Sequence, residues 1–187
     1  MLKKIIYLSL FSILFLAVVS CKNDVLPKPA SHLSLEYPVA EYAHFENDCP
    51  FTFDMNSAAI IKGKQGCNFT IDYPKMKATI YLSYKPVSNN INVLLRDAQK
   101  LTYEHVIKAD DITEQPFINS HDKVYGMFYQ VDGNAATNAQ FYVTDSTKNF
   151  LDCSVYFYAK PNFDSVMPAA NYVKKDMRKL MESLRWK

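Results

Sequence analysis

Apolar and polar residues alternate along much of the first half of the chain, and this alternation predicts β-strands. Residues 33–37 (LSLEY) and 51–55 (FTFDM) alternate over a short length. Residues 67–74 and 77–85 alternate more regularly, and each places four apolar side chains on one face. In the first segment these are Cys67, Phe69, Ile71 and Tyr73. In the second they are Ala78, Ile80, Leu82 and Tyr84. A period of two with β-branched and aromatic residues is typical of half-buried strands.

After residue 90 the apolar spacing changes to that of a helix. A helix is predicted from residue 91 to about 108, capped by Asn89 or Asn90, because it has an apolar stripe at Ile91, Leu94, Leu95, Ala98 and Leu101. A closing helix is predicted over residues 165–184, with Ser165 as its cap and an apolar stripe at Val166, Val173, Met177, Leu180, Met181 and Leu184.

Three more strands are predicted between the helices, at residues 123–131, 139–144 and 150–159. Short polar connections at 132–138 and 145–149 suit antiparallel hairpins. The order of strands, helix, strands and helix predicts an α+β fold, a single domain with a largely antiparallel β-sheet and two main helices. The element order also resembles the α/β/α sandwiches of PsbP/Mog1-like proteins, a likeness that implies no particular function.

The N-terminus has the layout of a secretory signal peptide. Lys3 and Lys4 precede an apolar run over residues 5–19, which is short for a membrane span of roughly 20 apolar residues. The letters VVSC at 18–21 match the bacterial lipobox, in which Cys21 is lipidated after cleavage. The alternative is a plain cleaved signal that ends at a cysteine.

The lipobox predicts three segments: a signal peptide over residues 1–20, a lipidated Cys21 with a polar tether to residue 31, and one globular domain over 32–187. Prolines at 27 and 29 favour an extended tether. Two or more acyl chains on Cys21 would anchor the protein durably to a membrane, whereas a single chain binds only marginally.

Removal of the signal peptide changes the charge of the chain. The full chain has 21 basic and 19 acidic residues, and the signal takes away two lysines, so 19 of each remain. Zero net charge gives no support to nucleic-acid binding, which needs a basic face. Residues 174–187 nevertheless hold six basic and two acidic residues. The candidate basic face is either solvated or in contact with anionic lipid or an acidic partner, and it consists of Lys174, Lys175, Arg178 and Lys179.

Export places the remaining cysteines in an oxidising compartment, where disulfides form. Cys49 and Cys67 flank a segment with the length of a hairpin, and a bridge closing this loop would contribute on the order of 3 kcal/mol. Cys153 alternates with apolar residues, which favours a buried and inert thiol. We therefore favour a Cys49–Cys67 disulfide; three reduced thiols, or a pairing that includes Cys153, are the alternatives.

The sequence contains no residue set that is typical of catalysis or of metal binding. None of the four histidines pairs with another at i,i+4, no two cysteines have CxxC spacing, and the GxSxG, P-loop and GxGxxG motifs are absent. Ser120-His121-Asp122 cannot form a triad, because adjacent residues do not converge on one site, and is predicted to be a turn. Asp110 and Asp111 are predicted to lie at a helix end and turn. We expect no enzymatic activity, cofactor or metal.

Two polar clusters lie in the predicted connections and are the candidate partner contacts. The first contains Asp132, Gly133, Asn134 and Thr137, and the second contains Asp145, Ser146 and Thr147. Connections at successive ends of an antiparallel meander are separated by a strand length of roughly 17–20 Å. We therefore expect the clusters not to form one compact site. If either has a role beyond turning the chain, we expect contact with a partner protein, the first cluster ahead of the second. The alternative is a periplasmic small-ligand module or hydrolase that uses both loops.

Several stretches together carry a family resemblance. They are PKPASHLSLEYP (27–38), CPFTFDMN (49–56), YPKMKATIYLSYKPV (73–87), LTYEHVIKADDI (101–112), KVYGMFYQVDGNAATNAQFYVTDSTKNFL (123–151) and LRWK (184–187). Through these stretches and its lipobox the chain resembles the gliding-motility lipoprotein GldD family over nearly its whole mature length.

This resemblance implies a cell-envelope lipoprotein required for gliding over surfaces. It also implies a non-enzymatic role in assembling or stabilising the gliding and type IX secretion machinery, with other gliding-motility lipoproteins as partners and no catalytic residues. The family has a small residue where this chain has Cys153, which supports Cys49–Cys67 as the pair. Lys22 follows Cys21, so the inner-membrane retention aspartate of some bacteria is absent. A periplasm-facing outer-membrane anchor is favoured over an inner-membrane one.

Overall fold

A computed structural model of the chain describes residues 37–104, 109–133, 135, 137–158 and 163–187, with side chains from residue 167 onward in the last segment. These residues belong to one compact unit. The predicted signal peptide, the lipidated Cys21, the tether and all but the last residue of the strand at 33–37 lie outside the described residues.

The described residues form ten strands and two α-helices. In chain order the elements are β1 (Tyr42–Phe45), β2 (Phe51–Asn56), β3 (Ile60–Gln65), β4 (Asn68–Tyr73), β5 (Ala78–Pro86), α1 (Ile91–Tyr103), β6 (Ala109–Asn119), β7 (Val124–Gly133), β8 (Thr137–Thr144), β9 (Asn149–Phe157), α2 (Phe163–Ser183) and β10 (Arg185–Trp186). The main sheet has the order β3-β4-β5-β9-β8-β7-β6, and a small sheet has the order β1-β2-β10. All the pairings are antiparallel.

The two helices pack on opposite faces of the main sheet. Phe128 and Phe141 belong to the same buried cluster as Met177 of α2. Their chain neighbours Tyr129 and Tyr142 belong to a second cluster, which contains Leu94 and Ala98 of α1. Because successive side chains of a strand point to opposite faces, the sheet lies between the helices. This layering is that of an α/β/α sandwich and confirms the predicted α+β class.

The small sheet extends the core on the α2 face. Phe51 and Phe53 of β2 are fully buried, and their rings stack on Phe69 of β4 with centroids 6.4 and 6.3 Å apart. Burial of each such ring contributes about 1.5–3 kcal/mol. The backbone N–H of Asp54 donates to the hydroxyl of Ser183 at 2.8 Å, which ties β2 to the end of α2.

The strongly periodic segments form the predicted elements. The three strands predicted between the helices are β7, β8 and β9, and the predicted faces of β4 and β5 are buried as expected. In α2, the predicted stripe is buried at Val173, Met177, Leu180 and Met181, and Leu184 is buried just after the helix. The helix begins at Phe163, so Pro168 lies inside it; the side chains of Ser165 and Val166 lie outside the described part of the chain.

The prediction for residues 109–111 is wrong. Asp110 and Asp111 do not mark a helix end and turn but belong to β6, which pairs with β7, and α1 ends earlier than predicted, at Tyr103. Residues 105–108 are not among those described. β6 lies at the edge of the sheet, where Pro116 is tolerated because an edge strand has no second neighbour. None of its side chains is fully buried, so it lacks the apolar alternation of an inner strand.

We predict that Gly126→Ala destabilises the protein by about 3 kcal/mol or more, since overpacking a well-packed strand is costly. A Cβ at Gly126 would overlap the carbonyl oxygen of Tyr142 and lie 2.9 Å from Cγ1 of Val143. Gly66→Ala is the control: its φ of +61° is strained for alanine, but no atom lies within 4 Å, so we expect a loss of about 1–2 kcal/mol. Urea unfolding measures both losses; equal losses would contradict this account.

Candidate functional site

The two predicted polar clusters lie at opposite ends of the β7–β8–β9 meander. Thr137, at the first end of β8, pairs with Tyr156, whereas Thr144, at its other end, pairs with Phe150. The strand between them spans about 23 Å at roughly 3.3 Å per residue. The clusters therefore do not converge on one compact site, as expected from the antiparallel connections.

Most residues of the first cluster belong to strands of the sheet. Asp132 and Gly133 belong to β7, and Thr137 belongs to β8, so the connection is shorter than the predicted 132–138 loop. The carboxylate of Asp132 lies 3.7 Å from the ammonium of Lys174. Thr137 is 1% exposed, so its side chain is not presented at the surface. Asn134 lies outside the described residues.

Gly133 has a structural reason to be glycine. Its φ is +102°, a conformation that other residues rarely adopt. A Cβ at this position would also lie 2.6 Å from the backbone nitrogen of Asp110. The register of β6 against β7 shifts here, between Ala109 and Asp111. Gly133 therefore permits the close approach of the edge strand and does not itself present a contact group.

The second cluster forms a tight turn with exposed residues at its tip. The carboxylate of Asp145 accepts hydrogen bonds from the backbone N–H groups of Thr147, Lys148 and Asn149 at 2.9, 2.7 and 2.9 Å. The side-chain amide of Asn149 donates to its second oxygen at 2.8 Å. Ser146, Thr147 and Lys148 are exposed. Asp145 thus shapes the turn, while the three residues at its tip are available to a partner.

The hydrogen bonds also govern the acidity of Asp145. Burial alone would raise the pKa of this carboxyl group, but the donors from Lys148, Asn149 and Thr147 outweigh burial and lower the pKa below its usual value. Hydrogen bonds to a carboxylate favour its charged form. Asp145 is therefore a structural anion of the turn and is unsuited to act as a general acid at neutral pH.

The tip of this turn adjoins two other segments, the hairpin tip at 120–123 and the C-terminal residues 185–187. Together they line a polar depression of about 460 Å³. Residues 120–123, 145–148 and 185–187 are called here the turn-end surface. Arg185 and Asp122 form an ion pair with 2.9 Å between Nε and Oδ2. The indole N–H of Trp186 donates to the carbonyl oxygen of Lys123 at 3.2 Å.

Sequence reasoning did not assign residues 120–123 and 185–187 to this surface. The predicted turn at Ser120-His121-Asp122 is confirmed, and the ring of His121 contacts the carboxylate of Asp122 at 2.8 Å. The proximity of the C-terminus depends on β10 pairing with β2, which no local pattern predicts. The basic C-terminal segment was the available signal, since Arg185 and Lys187 line the depression.

Three of the four candidate basic residues, Lys174, Lys175 and Arg178, line one depression, whereas Lys179 lies on the other flank of α2. Lys174 and Lys179 are separated by about 140° around the helix axis, given 3.6 residues per turn. Lys174 lies beside Asp132 at 3.7 Å and Lys179 lies 3.5 Å from Asp54 on the other flank. Arg178 stacks on the ring of Phe128. Lys175 is exposed.

Two of the cysteines form the disulfide that the length of the segment between them favoured. Cys49 and Cys67 form a disulfide with Cα atoms 5.5 Å apart, which confirms the predicted pair. Cys153 is a free thiol within the described part of the chain and is fully buried. Burial raises the pKa of the Cys153 thiol well above its usual value, so it is not a reactive nucleophile.

The described residues contain no group of three or more His, Cys, Asp or Glu side chains that could hold a metal ion. No helix in this part of the chain combines the length and the apolar character that crossing a membrane requires.

A family model described as the gliding motility lipoprotein GldD matches residues 22–186. The chain belongs to this family. The match begins directly after Cys21 and ends at Trp186, so it includes the turn-end surface almost completely. The GldD family places the protein among envelope-associated lipoproteins of the gliding-motility system, and it is not a known enzyme family. The search of curated proteins finds no match for the chain.

We predict that Asp145→Ala lowers the free energy of unfolding by about 2 kcal/mol at pH 7, because hydrogen bonds to a charged group are lost. The folded pKa of Asp145 lies below the unfolded value of about 3.9, so the carboxylate stabilises the fold fully above that pH. The stabilisation is lost as the pH falls through the folded pKa. Urea unfolding at pH 7 and at about pH 3 measures the difference from wild type.

Thr147→Ala is the matched control for this substitution, because Thr147 contributes its backbone N–H and not its side chain to the Asp145 hydrogen bonds. We expect it to change stability by less than about 0.5 kcal/mol, as for most surface substitutions. Equal losses in the two variants would show that the Asp145 carboxylate does not organise the turn.

We predict that replacing Cys49 and Cys67 together by alanine costs about 3 kcal/mol of stability, since the disulfide restricts the unfolded chain. In the native protein iodoacetamide should leave Cys153 unmodified, and unfolding in denaturant should expose it. Mass spectrometry of the alkylated protein counts the accessible thiols. Modification of Cys153 in the native state, or an unchanged unfolding midpoint in the double variant, would contradict these assignments.

Proposed function

We propose that the protein is a lipid-anchored envelope component that supports gliding without catalysis, through contacts with other proteins of the gliding and type IX secretion machinery. The GldD family match supports the link to gliding. The lipobox at residues 18–21 supports the anchor at Cys21. The observation that carries the non-enzymatic role is the separation of the two polar clusters by about 23 Å, the length of one strand.

The chemistry of the candidate residues supports contact rather than catalysis. Asp132 is paired with Lys174 and Asp145 is held by turn hydrogen bonds, so neither carboxylate is poised to transfer a proton. The alternative of a small-ligand module or hydrolase needs both loops around one pocket. Because the two loops lie about 23 Å apart, the length of one strand, they do not surround one pocket.

The turn-end surface is the proposed site of partner contact. His121, Thr147 and Lys148 are exposed on it, and Trp186 and Arg185 lie beside them. Tryptophan and arginine are enriched at the energetic centres of protein interfaces, with polar residues at the rim. This composition fits a partner that makes mostly polar contacts around an aromatic anchor.

The anchor limits where the contact occurs. Residues 22–36 connect Cys21 to the described domain, and an extended chain of this length reaches at most about 50 Å. The domain therefore meets partners close to the membrane that holds the lipid. We favour the outer membrane with the domain in the periplasm, because Lys22 and not aspartate follows Cys21.

The test compares strains of the source organism. We expect deletion of the protein to abolish colony spreading and adhesin export. A Thr147→Arg, Lys148→Glu double variant should reduce spreading at normal protein level, because both side chains are exposed and their replacement spares the core. Asp132→Ala should cause at most a partial loss. The matched control is Lys75→Glu, which changes an exposed lysine remote from the turn-end surface.

The outcomes separate the parts of the proposal. Full spreading and export in the deletion strain would contradict the role in gliding. Full spreading in the double variant, with loss only on deletion, would contradict contact through the turn-end surface. Equal loss in the double variant and the Lys75→Glu control would show a general sensitivity to charge.

A further inference from the structure

A second depression lies between α2 and the middle of β7. Its volume is about 320 Å³, and it is lined by Phe128, Gln130, Asn171, Lys174, Lys175 and Arg178. The described residues that line it provide three cations, two amides and one aromatic ring, and the carboxylate of Asp132 lies beside it, 3.7 Å from the ammonium of Lys174. We call it the cationic pocket. An anion entering it would meet positive charge from three side chains.

Lys174 is a desolvated cation with limited compensation. Its side chain is 14% exposed, and its ion pair with Asp132 is long, at 3.7 Å. The same carboxylate also accepts hydrogen bonds from the amide of Gln130, at 3.2 and 3.4 Å. Burial lowers the pKa of Lys174, and Asp132 offsets only part of this effect. The pair with Asp132 leaves the burial of Lys174 only partly compensated, so a further anion near Lys174 would be stabilising.

Arg178 is held in place for recognition. Its guanidinium carbon lies 4.5 Å above the centroid of the Phe128 ring, and its Nη2 donates to the side-chain oxygen of Gln115. A guanidinium has five N–H donors in a fixed fork, and this bond uses one of them. Planar bidentate binding of a carboxylate is the arrangement that arginine favours.

We propose that the cationic pocket binds an acidic side chain of a partner protein, with the carboxylate inserted between Lys174, Lys175 and Arg178. The amides of Gln130 and Asn171 can bond the polypeptide that carries this side chain. The pocket's size suits one or two side chains.

The shape of the pocket distinguishes this partner from a membrane. Among the three cations that line it, Lys174 and Arg178 are partly buried, while Lys175 is exposed. A flat bilayer surface would meet Lys175 but would not reach Lys174. A projecting carboxylate side chain reaches all three. The proposal goes beyond the proposed function, because none of the residues that line this pocket belongs to the turn-end surface, and binding in the pocket can fail independently.

The probe is a fluorescein-labelled tetraglutamate peptide, measured by fluorescence anisotropy on the mature lipidated protein in non-ionic detergent at low ionic strength. We expect the peptide to bind and a tetraglutamine peptide not to bind. Lys175→Glu should weaken binding at least about tenfold, since it replaces attraction by repulsion in the pocket. Lys175 is exposed, so this variant should fold normally, which its unfolding midpoint checks.

Two further variants sharpen the test. Arg178→Lys keeps the charge but loses the planar fork, and should weaken binding several-fold. Lys148→Glu makes the same change of charge at the turn-end surface and should leave binding unchanged. Failure of wild type to bind the peptide, or unchanged binding in Lys175→Glu, would overturn the proposal. Weakening by Lys148→Glu equal to that by Lys175→Glu would also overturn it.

A competition experiment distinguishes a carboxylate ligand from a phosphate ligand. Unlabelled tetraglutamate should displace the probe at a lower concentration than glycerol phosphate, which represents a lipid headgroup, or inorganic phosphate. Displacement by either phosphate at a lower concentration than tetraglutamate would overturn the proposal of an acidic side chain.

Discussion

The opposite packing of neighbouring side chains on β7 and β8 is the constraint on which the rest of the structure depends. Phe128 stacks with Phe141 on the α2 face, with ring centroids 6.3 Å apart, while Tyr129 and Tyr142 meet at the same distance on the α1 face. A shift of one residue would move every one of these rings to the wrong face. Burial on both sides therefore fixes the register, and the register fixes where each hairpin turns.

The fixed positions of the turns determine where the two polar connections lie. The meander places one polar connection beside α2 and the other beside the C-terminus, so chemistry that needs both is excluded by geometry. Each end can instead serve as a separate contact. The cationic pocket lies on the α2 face beside the middle of β7, and the turn-end surface with Trp186 lies at one end of the meander. This layout supports the proposal that the domain contacts partner proteins near a membrane rather than enclosing a substrate.

The sequence predicts the parts of this fold that are buried. The inner strands β7, β8 and β9 and both helices have strong apolar periods, and all were predicted. β1, β3 and β6 were not predicted as strands, because most of their side chains are exposed or half-buried and local alternation is then weak.

The candidate sites were harder to predict, because their geometry depends on residues far apart in the chain. Lys179 and Asp54, and Arg178 and Gln115, meet only in the folded protein, so the basic cluster is divided between two flanks. Lys187 donates its backbone N–H to the carbonyl oxygen of Pro50 at 3.0 Å, which brings the C-terminus to the turn-end surface. By contrast, the turn residues around Asp145 were predictable, because their hydrogen bonds are local.

The central claim is that the turn-end surface contacts another protein of the envelope. Its most direct test is photocrosslinking in gliding cells, with the photoreactive residue p-benzoylphenylalanine in place of Thr147 and, separately, in place of Lys75. Both positions are exposed, but only Thr147 belongs to the turn-end surface. The account predicts a discrete crosslinked protein from position 147 and none from position 75. No crosslink from position 147 in cells that glide normally, or the same product from both positions, would contradict it.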